Sequence, residues 1–223
     1  TQINLITSKI FLCLHSLEKM LKSLFTISTL LVLAPAFADT SRQEMLDSLL
    51  NKGRYDLLVA QLAPEKVLGS KGKPLTSDVI EADIKWMQPK VQAGETPLMF
   101  VYAYRSLNQG APAQEVLQWY AEGRTRTFLA AKSCRTSNTL PWSMILDGSF
   151  PELLKIRQQN GLDYVRGVDN ALQRFKSNAI PSAAWYCGSG NILNETDANK
   201  LTKERWESLY ADNKRKLDSG KDE

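Results

Sequence analysis

Apolar residues recur every three or four positions over most of the chain after Ser41, and Gly or Pro separates one such run from the next. This spacing puts apolar side chains on one face of an α-helix, whereas a half-buried strand needs strict alternation. The run from Leu98 to Leu107 is apolar on nearly every side, which predicts a helix at the centre of the core. We therefore expect an all-α fold, either an irregular helical bundle or a short stack of antiparallel helix hairpins.

Capping residues and helix breakers predict where the helices begin and end. Gly53, Gly110 and Pro112 are expected to break helices, and Gly161 is expected to close the helix that ends at Gln159. The expected N-terminal caps are Ser41, Thr76 or Ser77, Thr96, Ser149 with Glu152 three residues later, and Thr202.

Met20 begins a segment with the order of a secretory signal peptide. Lys22 supplies a basic head, residues 24–33 form an apolar run, and Ala36 and Ala38 match a small-x-small cleavage site. The run is shorter than the roughly 20 residues that a spanning helix needs. We therefore expect cleavage after Ala38, a periplasmic or secreted protein, and no membrane span in the processed chain.

The signal divides the chain into four expected parts. Residues 1–19 precede it and are interpreted as an upstream, non-native extension, and residues 20–38 are the signal peptide. Residues 39–217 are expected to form a single helical domain because no linker rich in Pro, Gly or Ser divides them. Residues 218–223 are a charged tail.

Cleavage after Ala38 would remove His15, which is the one histidine of the sequence. The remaining chain could not use Ser-His-Asp or Cys-His catalysis, nor a zinc site that needs histidine. The formal net charge of the whole sequence is only +4, and cleavage lowers it further. We expect no cofactor, no metal and no nucleic-acid partner, since nucleic acid requires clustered phosphate contacts.

The cysteine count predicts one disulfide. Cleavage would remove Cys13 and leave Cys134 and Cys187, which an exported chain carries into an oxidising compartment. We expect the two to pair as a structural staple; the alternative is two buried free thiols. Their wide separation differs from the Cys-x-x-Cys spacing of redox-active pairs.

Two groups of residues are candidates for binding. The first is a basic run with no acidic residue between Glu122 and Asp147, which either meets an anionic partner or is a solvated helix face. The second is aromatic, and the expected disulfide would bring its segments together to line a groove or to fill the core. The candidates are Arg124, Arg126, Lys132 and Arg135 in the first group, and Trp142, Trp185 and Tyr186 in the second.

Three helix starts follow a glycine in a similar way, at Gly53, Gly110 and Gly148, although their spacing is uneven. This arrangement resembles antiparallel helix pairs of the tetratricopeptide type, mostly over Pro97 to Arg124. The resemblance implies stacked helix pairs with a concave surface that binds peptides or partner proteins. The other interpretation is an irregular bundle with ordinary helical turns.

These observations predict an exported helical protein that binds a protein or peptide of the cell envelope and has no catalytic activity. The alternative is a histidine-free, lysozyme-like hydrolase of cell-wall glycan, which would need one carboxyl group as acid and a second across a cleft. The candidate carboxylates are Glu115, Glu122, Glu152 and Asp169.

Overall fold

The structure, a computed structural model, describes residues 41–66, 72–135, 142–177, 184–187 and 193–220. The expected extension and signal peptide lie outside these ranges. Within them, the side chains of 142–145, 175–177, 184–185 and 195 are also outside the description.

The described residues form helices joined by turns, with an isolated bridge residue at Cys134, so the all-α prediction is confirmed. Short 3-10 turns lie at Pro64–Lys66 and Ala131–Ser133. The helices are α1 (Arg42–Asn51), α2 (Tyr55–Leu62), α3 (Ser77–Ala93), α4 (Thr96–Asn108), α5 (Ala113–Ala130), α6 (Trp142–Ser149), α7 (Pro151–Gln159), α8 (Gly161–Ser177), α9 (Ala184–Cys187) and α10 (Glu195–Ser219).

Helix α4 lies in the centre of the core, as its apolar sequence predicts. Every residue from Thr96 to Ser106 is buried, and α2, α3, α5 and α7 pack around it. Burial of a large apolar side chain such as Phe100 stabilises the fold by roughly 1.5–3 kcal/mol. Arg105 is buried in the same helix, where it pairs with Glu65 at 2.7 Å and donates to the Leu62 carbonyl.

Helices α5 and α8 approach closely because glycine lies at their contact. A Cβ atom added at Gly167 would lie 2.9 Å from the Ala121 Cβ and 3.0 Å from the Leu117 carbonyl oxygen. Gly123, on α5, is likewise covered by Phe100 of α4. Helix α5 is therefore held between α4 and α8.

Helix α10 is attached to α8 by hydrogen bonds from its side chains to backbone carbonyls of α8. Trp206 Nε1 donates to the Leu172 oxygen at 2.9 Å, and the buried Asn213 donates to the Val165 oxygen at 3.2 Å. These two bonds, about two helical turns apart on α10, fix its orientation along α8.

The predicted disulfide is confirmed. Cys134 and Cys187 are bonded, with their Cα atoms 5.3 Å apart, so the 3-10 turn after α5 is joined to α9. Tyr186 is buried against this bridge beside Ala130.

The cap predicted at Thr202 is wrong. Helix α10 begins at Glu195 instead of Thr202, because the Asn194 side chain caps it by accepting from the Asp197 amide at 3.0 Å. Thr202 lies inside the helix and donates to the Ala198 carbonyl. Helix α10 also extends to Ser219, past the start of the expected tail.

The capping box predicted at Ser149 is also wrong. Phe150 is the N-cap residue of α7 and Pro151 begins the helix, while Ser149 ends α6. Glu152 pairs with Lys66. Gly161 begins α8, whereas Asn160 is the C-cap of α7. At the start of α4 the cap is Glu95, one residue before Thr96.

Across the described ranges, no helix combines the length and the apolar character that crossing a bilayer would require.

Candidate functional site

A cavity of about 260 Å³ lies between α5, α7, α8 and α10. It exists where α10 leaves space beside the closely packed pair of α5 and α8. Its walls combine an apolar floor with cationic side chains at the edges. The lining residues are Arg124, Thr125, Phe128, Arg157, Tyr164, Val165, Val168, Leu209, Asp212, Asn213 and Lys216.

Arg124 is held in the wall by a buried polar cluster. Its Nη1 lies 2.8 Å from Asp147 Oδ2 and 3.2 Å from the Tyr120 hydroxyl, which itself donates to Asp147 at 2.7 Å. Burial lowers the pKa of Arg124, but Tyr164, Tyr120 and Asp147 raise it more, so the net shift is upward. Arg124 is therefore a fixed positive charge.

Arg157 has a different setting. It comes from α7 and stacks over the Tyr164 ring at 4.3 Å from the ring centroid, which leaves the edge of the guanidinium open for hydrogen bonds. No carboxylate in the described part of the chain forms an ion pair with Arg157. Arg157 is thus a cation at the cavity without an acidic partner among those residues.

Tyr164 connects the two arginines. Burial raises the pKa of its hydroxyl, and the positive charges of Arg124 and Arg157 partly oppose this rise. The hydroxyl therefore remains a neutral hydrogen-bonding group at ordinary pH.

Asp212 and Lys216 form the outer edge on α10. Lys216 Nζ lies 3.7 Å from Asp212 Oδ2, and Arg215 binds the other carboxylate oxygen at 3.1 Å. These side chains are substantially exposed, so water weakens their pairing. Lys216 can therefore turn toward an anion in the cavity with little loss of ion-pair energy.

In the structure, the four basic residues predicted from the sequence lie in different places. Arg124 lines the cavity, while Arg126 binds the buried Glu122 at 3.0 Å and lies against Gly94. Arg174 binds the second oxygen of Glu122. Lys132 and Arg135 are exposed, outside the cavity lining. The two half-buried arginines thus face Asp147 and Glu122, the acids that bound the run in the sequence.

Of the aromatic candidates, Tyr186 is the one whose side chain is described, and it does not line this cavity. Trp142 begins α6 and Trp185 is in α9, but their side chains are outside the described set. Tyr186 is buried beside the disulfide, and burial raises the pKa of its hydroxyl.

The carboxylates considered for hydrolysis do not have the setting of a general acid. Such an acid needs an apolar surrounding that keeps the carboxyl group protonated. Glu122 instead faces two arginines, and Glu152 binds Lys66. Glu115 is exposed and Asp169 is half-buried. In the described residues, no group of His, Cys, Asp and Glu side chains could hold a metal ion.

Comparison with models of protein families, with curated proteins and with solved structures finds no match to this chain. The function must therefore be argued from the cavity itself.

Proposed function

We propose that this chain is an exported, non-catalytic protein that binds a peptide, or a peptide segment of a partner protein, at the cavity between α5, α7, α8 and α10. The observation that carries this proposal is Arg157, a cation without an acidic partner in the described structure, next to an apolar floor. An apolar pocket with a few convergent polar groups is the usual form of a ligand site.

Export is part of the same proposal. The signal pattern from Met20 to Ala38 supports it, and so does the Cys134–Cys187 bridge, because disulfides persist in oxidising compartments. The tetratricopeptide resemblance also favours peptide binding, although stacked repeats with a concave surface stay a prediction.

The test is capture of peptides from a proteolytic digest of envelope proteins. The full chain is exported by an expression host, immobilised and compared with two charge-reversal variants, Arg157→Glu in the cavity and Arg135→Glu on the exposed turn. We expect the unsubstituted protein and the Arg135 variant to retain the same peptides and the Arg157 variant to lose them. Equal retention by all three proteins would contradict the proposed site.

The hydrolase alternative is tested with the same preparation. Incubation with purified cell-wall glycan, followed by measurement of released reducing ends, should show no turnover above the buffer blank. Release of reducing ends that stops on Glu122→Gln or Glu152→Gln substitution would overturn the non-catalytic assignment.

A further inference from the structure

We propose that the cavity recognises the C-terminal residue of a peptide, with the free α-carboxylate at Arg157 and the last side chain on the apolar floor. This inference rests on the proposed function and specifies its ligand. Three properties of the cavity support it: its size, its charge and the groups at its exit.

The size of the cavity fits one residue. Its volume of about 260 Å³ lies below the range of roughly 300–1,000 Å³ typical of pockets that enclose a drug-sized ligand. Val165, Val168 and Leu209 form an apolar floor. A single apolar side chain can be buried there while the rest of its chain stays outside.

The charge of the cavity fits one carboxylate. Arg124 is paired with Asp147, and the Asp212 carboxylate is shared between Lys216 and Arg215. Among the cations that line the cavity, only Arg157 has no carboxylate partner in the described residues, so a ligand with one carboxylate would complete the pairing. A planar guanidinium also matches a carboxylate in two parallel hydrogen bonds.

The exit from the cavity favours a peptide over a small free acid. Phe128 is 41% exposed at the rim, and Arg205 stacks over its ring at 5.2 Å from the centroid. A peptide chain that leaves the cavity can pack against the exposed part of this ring, which a small free acid would not reach.

The same face of α10 continues this path. Leu209, Arg205 and Leu201 are four residues apart, so they lie in one row along the helix. Leu209 lines the cavity and Leu201 is exposed. An extended peptide can therefore follow the row away from the cavity.

The test uses an array of ten-residue peptides of random sequence, each made once as the free acid and once as the C-terminal amide. The protein is the full chain, exported by an expression host and purified, and affinity is read by fluorescence polarisation of the best-binding peptides. We expect the peptides that bind to end in an apolar residue. Amidation should weaken their affinity by about tenfold or more, because it removes one charge-assisted hydrogen bond.

Arg157→Gln should remove most of the affinity ratio between acid and amide, while Arg135→Gln, outside the cavity, should leave it unchanged. Matching melting temperatures of the two variants exclude a folding defect.

Binding of peptides irrespective of amidation would overturn the carboxylate inference and leave the proposed function standing. Failure of every peptide to bind at 1 mM would overturn both. Octanoate that binds as tightly as the best free-acid peptide would show a fatty-acid site and overturn the assignment to peptide termini.

Discussion

Gly167→Ala tests whether the close packing of α5 and α8 depends on the missing side chain. The new Cβ would lie 2.9 Å from the Ala121 Cβ and 3.0 Å from the Leu117 carbonyl oxygen. One neighbour is a backbone atom and the other has no rotatable bond beyond Cβ, so relief requires the two helices to move apart. Overpacking of this kind costs typically about 1–3 kcal/mol.

Helix propensity acts in the opposite direction, because alanine in a helix interior is favoured over glycine by about 1 kcal/mol. The difference is a net destabilisation of up to roughly 2 kcal/mol. In a domain of 150–250 residues this lowers the melting temperature by up to about 8 °C. Urea unfolding followed by circular dichroism measures the free energy directly.

Gly148→Ala is the matched control. Gly148 lies in helix α6, and a Cβ there would meet nothing within 4 Å. The control should therefore be neutral or gain up to about 1 kcal/mol from propensity alone. Adding Ala121→Gly to Gly167→Ala removes one of the two clashes, so the pair should be less destabilised than the sum of the single changes. A Gly167→Ala protein that is as stable as the Gly148→Ala control would refute the close-packing argument.

Three further outcomes follow from the polar and covalent contacts. Replacing both Cys134 and Cys187 with Ala should lower the free energy of unfolding by about 4 kcal/mol, because the bridge limits the unfolded chain; an unchanged urea midpoint would contradict this. Glu65→Gln leaves the buried Arg105 without its carboxylate and should cost about 3 kcal/mol in the same assay, and a loss below 1 kcal/mol would show that the Leu62 carbonyl suffices. Burial and the hydrogen bond to Asp147 raise the pKa of Tyr120 above that of an unfolded tyrosine, about 10. Stability is therefore complete below pH 10 and falls above it, by up to about 1.4 kcal/mol per pH unit for each such tyrosine; Tyr120→Phe should make this fall shallower in unfolding series from pH 9 to 11.5, and an identical slope would refute the assignment.

The helical class and the disulfide could be predicted because both depend on local or countable features. The three-to-four residue spacing of apolar side chains is a direct consequence of helix geometry. An even number of cysteines in an exported chain favours pairing. The central position of α4 could be predicted because apolar residues lie on nearly every side of this helix.

Helix starts were less predictable because several polar residues could cap each one. Thr202 stands directly before an apolar stripe, yet Asn194 and Asp197 form a cap earlier in the chain. The polar turns between them remain helical because tertiary contacts later in α10, such as Trp206 on α8, stabilise the whole helix.

Only one residue of the candidate site, Arg124, could be predicted from the sequence. Arg124 stands in a visible basic run, and the pairing of Arg126 with Glu122 could be read from their spacing of four. The sequence pattern has no signal for Arg157, Tyr164 or Lys216 as neighbours, because three separate helices bring them together. Their meeting depends on the packing of α7 and α10 against α8, which brings together residues far apart in the sequence.

The bridge between Cys134 and Cys187 also makes a covalent ring of the chain between them, which includes α6, α7 and α8. A protease that cuts one peptide bond inside this ring opens it without separating the fragments. The nicked protein would migrate at its full mass on a gel until a reducing agent is added. Arg157 and Tyr164 lie in the ring, whereas Arg124 and Lys216 lie on either side of it, so one cut in the ring leaves every wall of the cavity on the same covalent molecule.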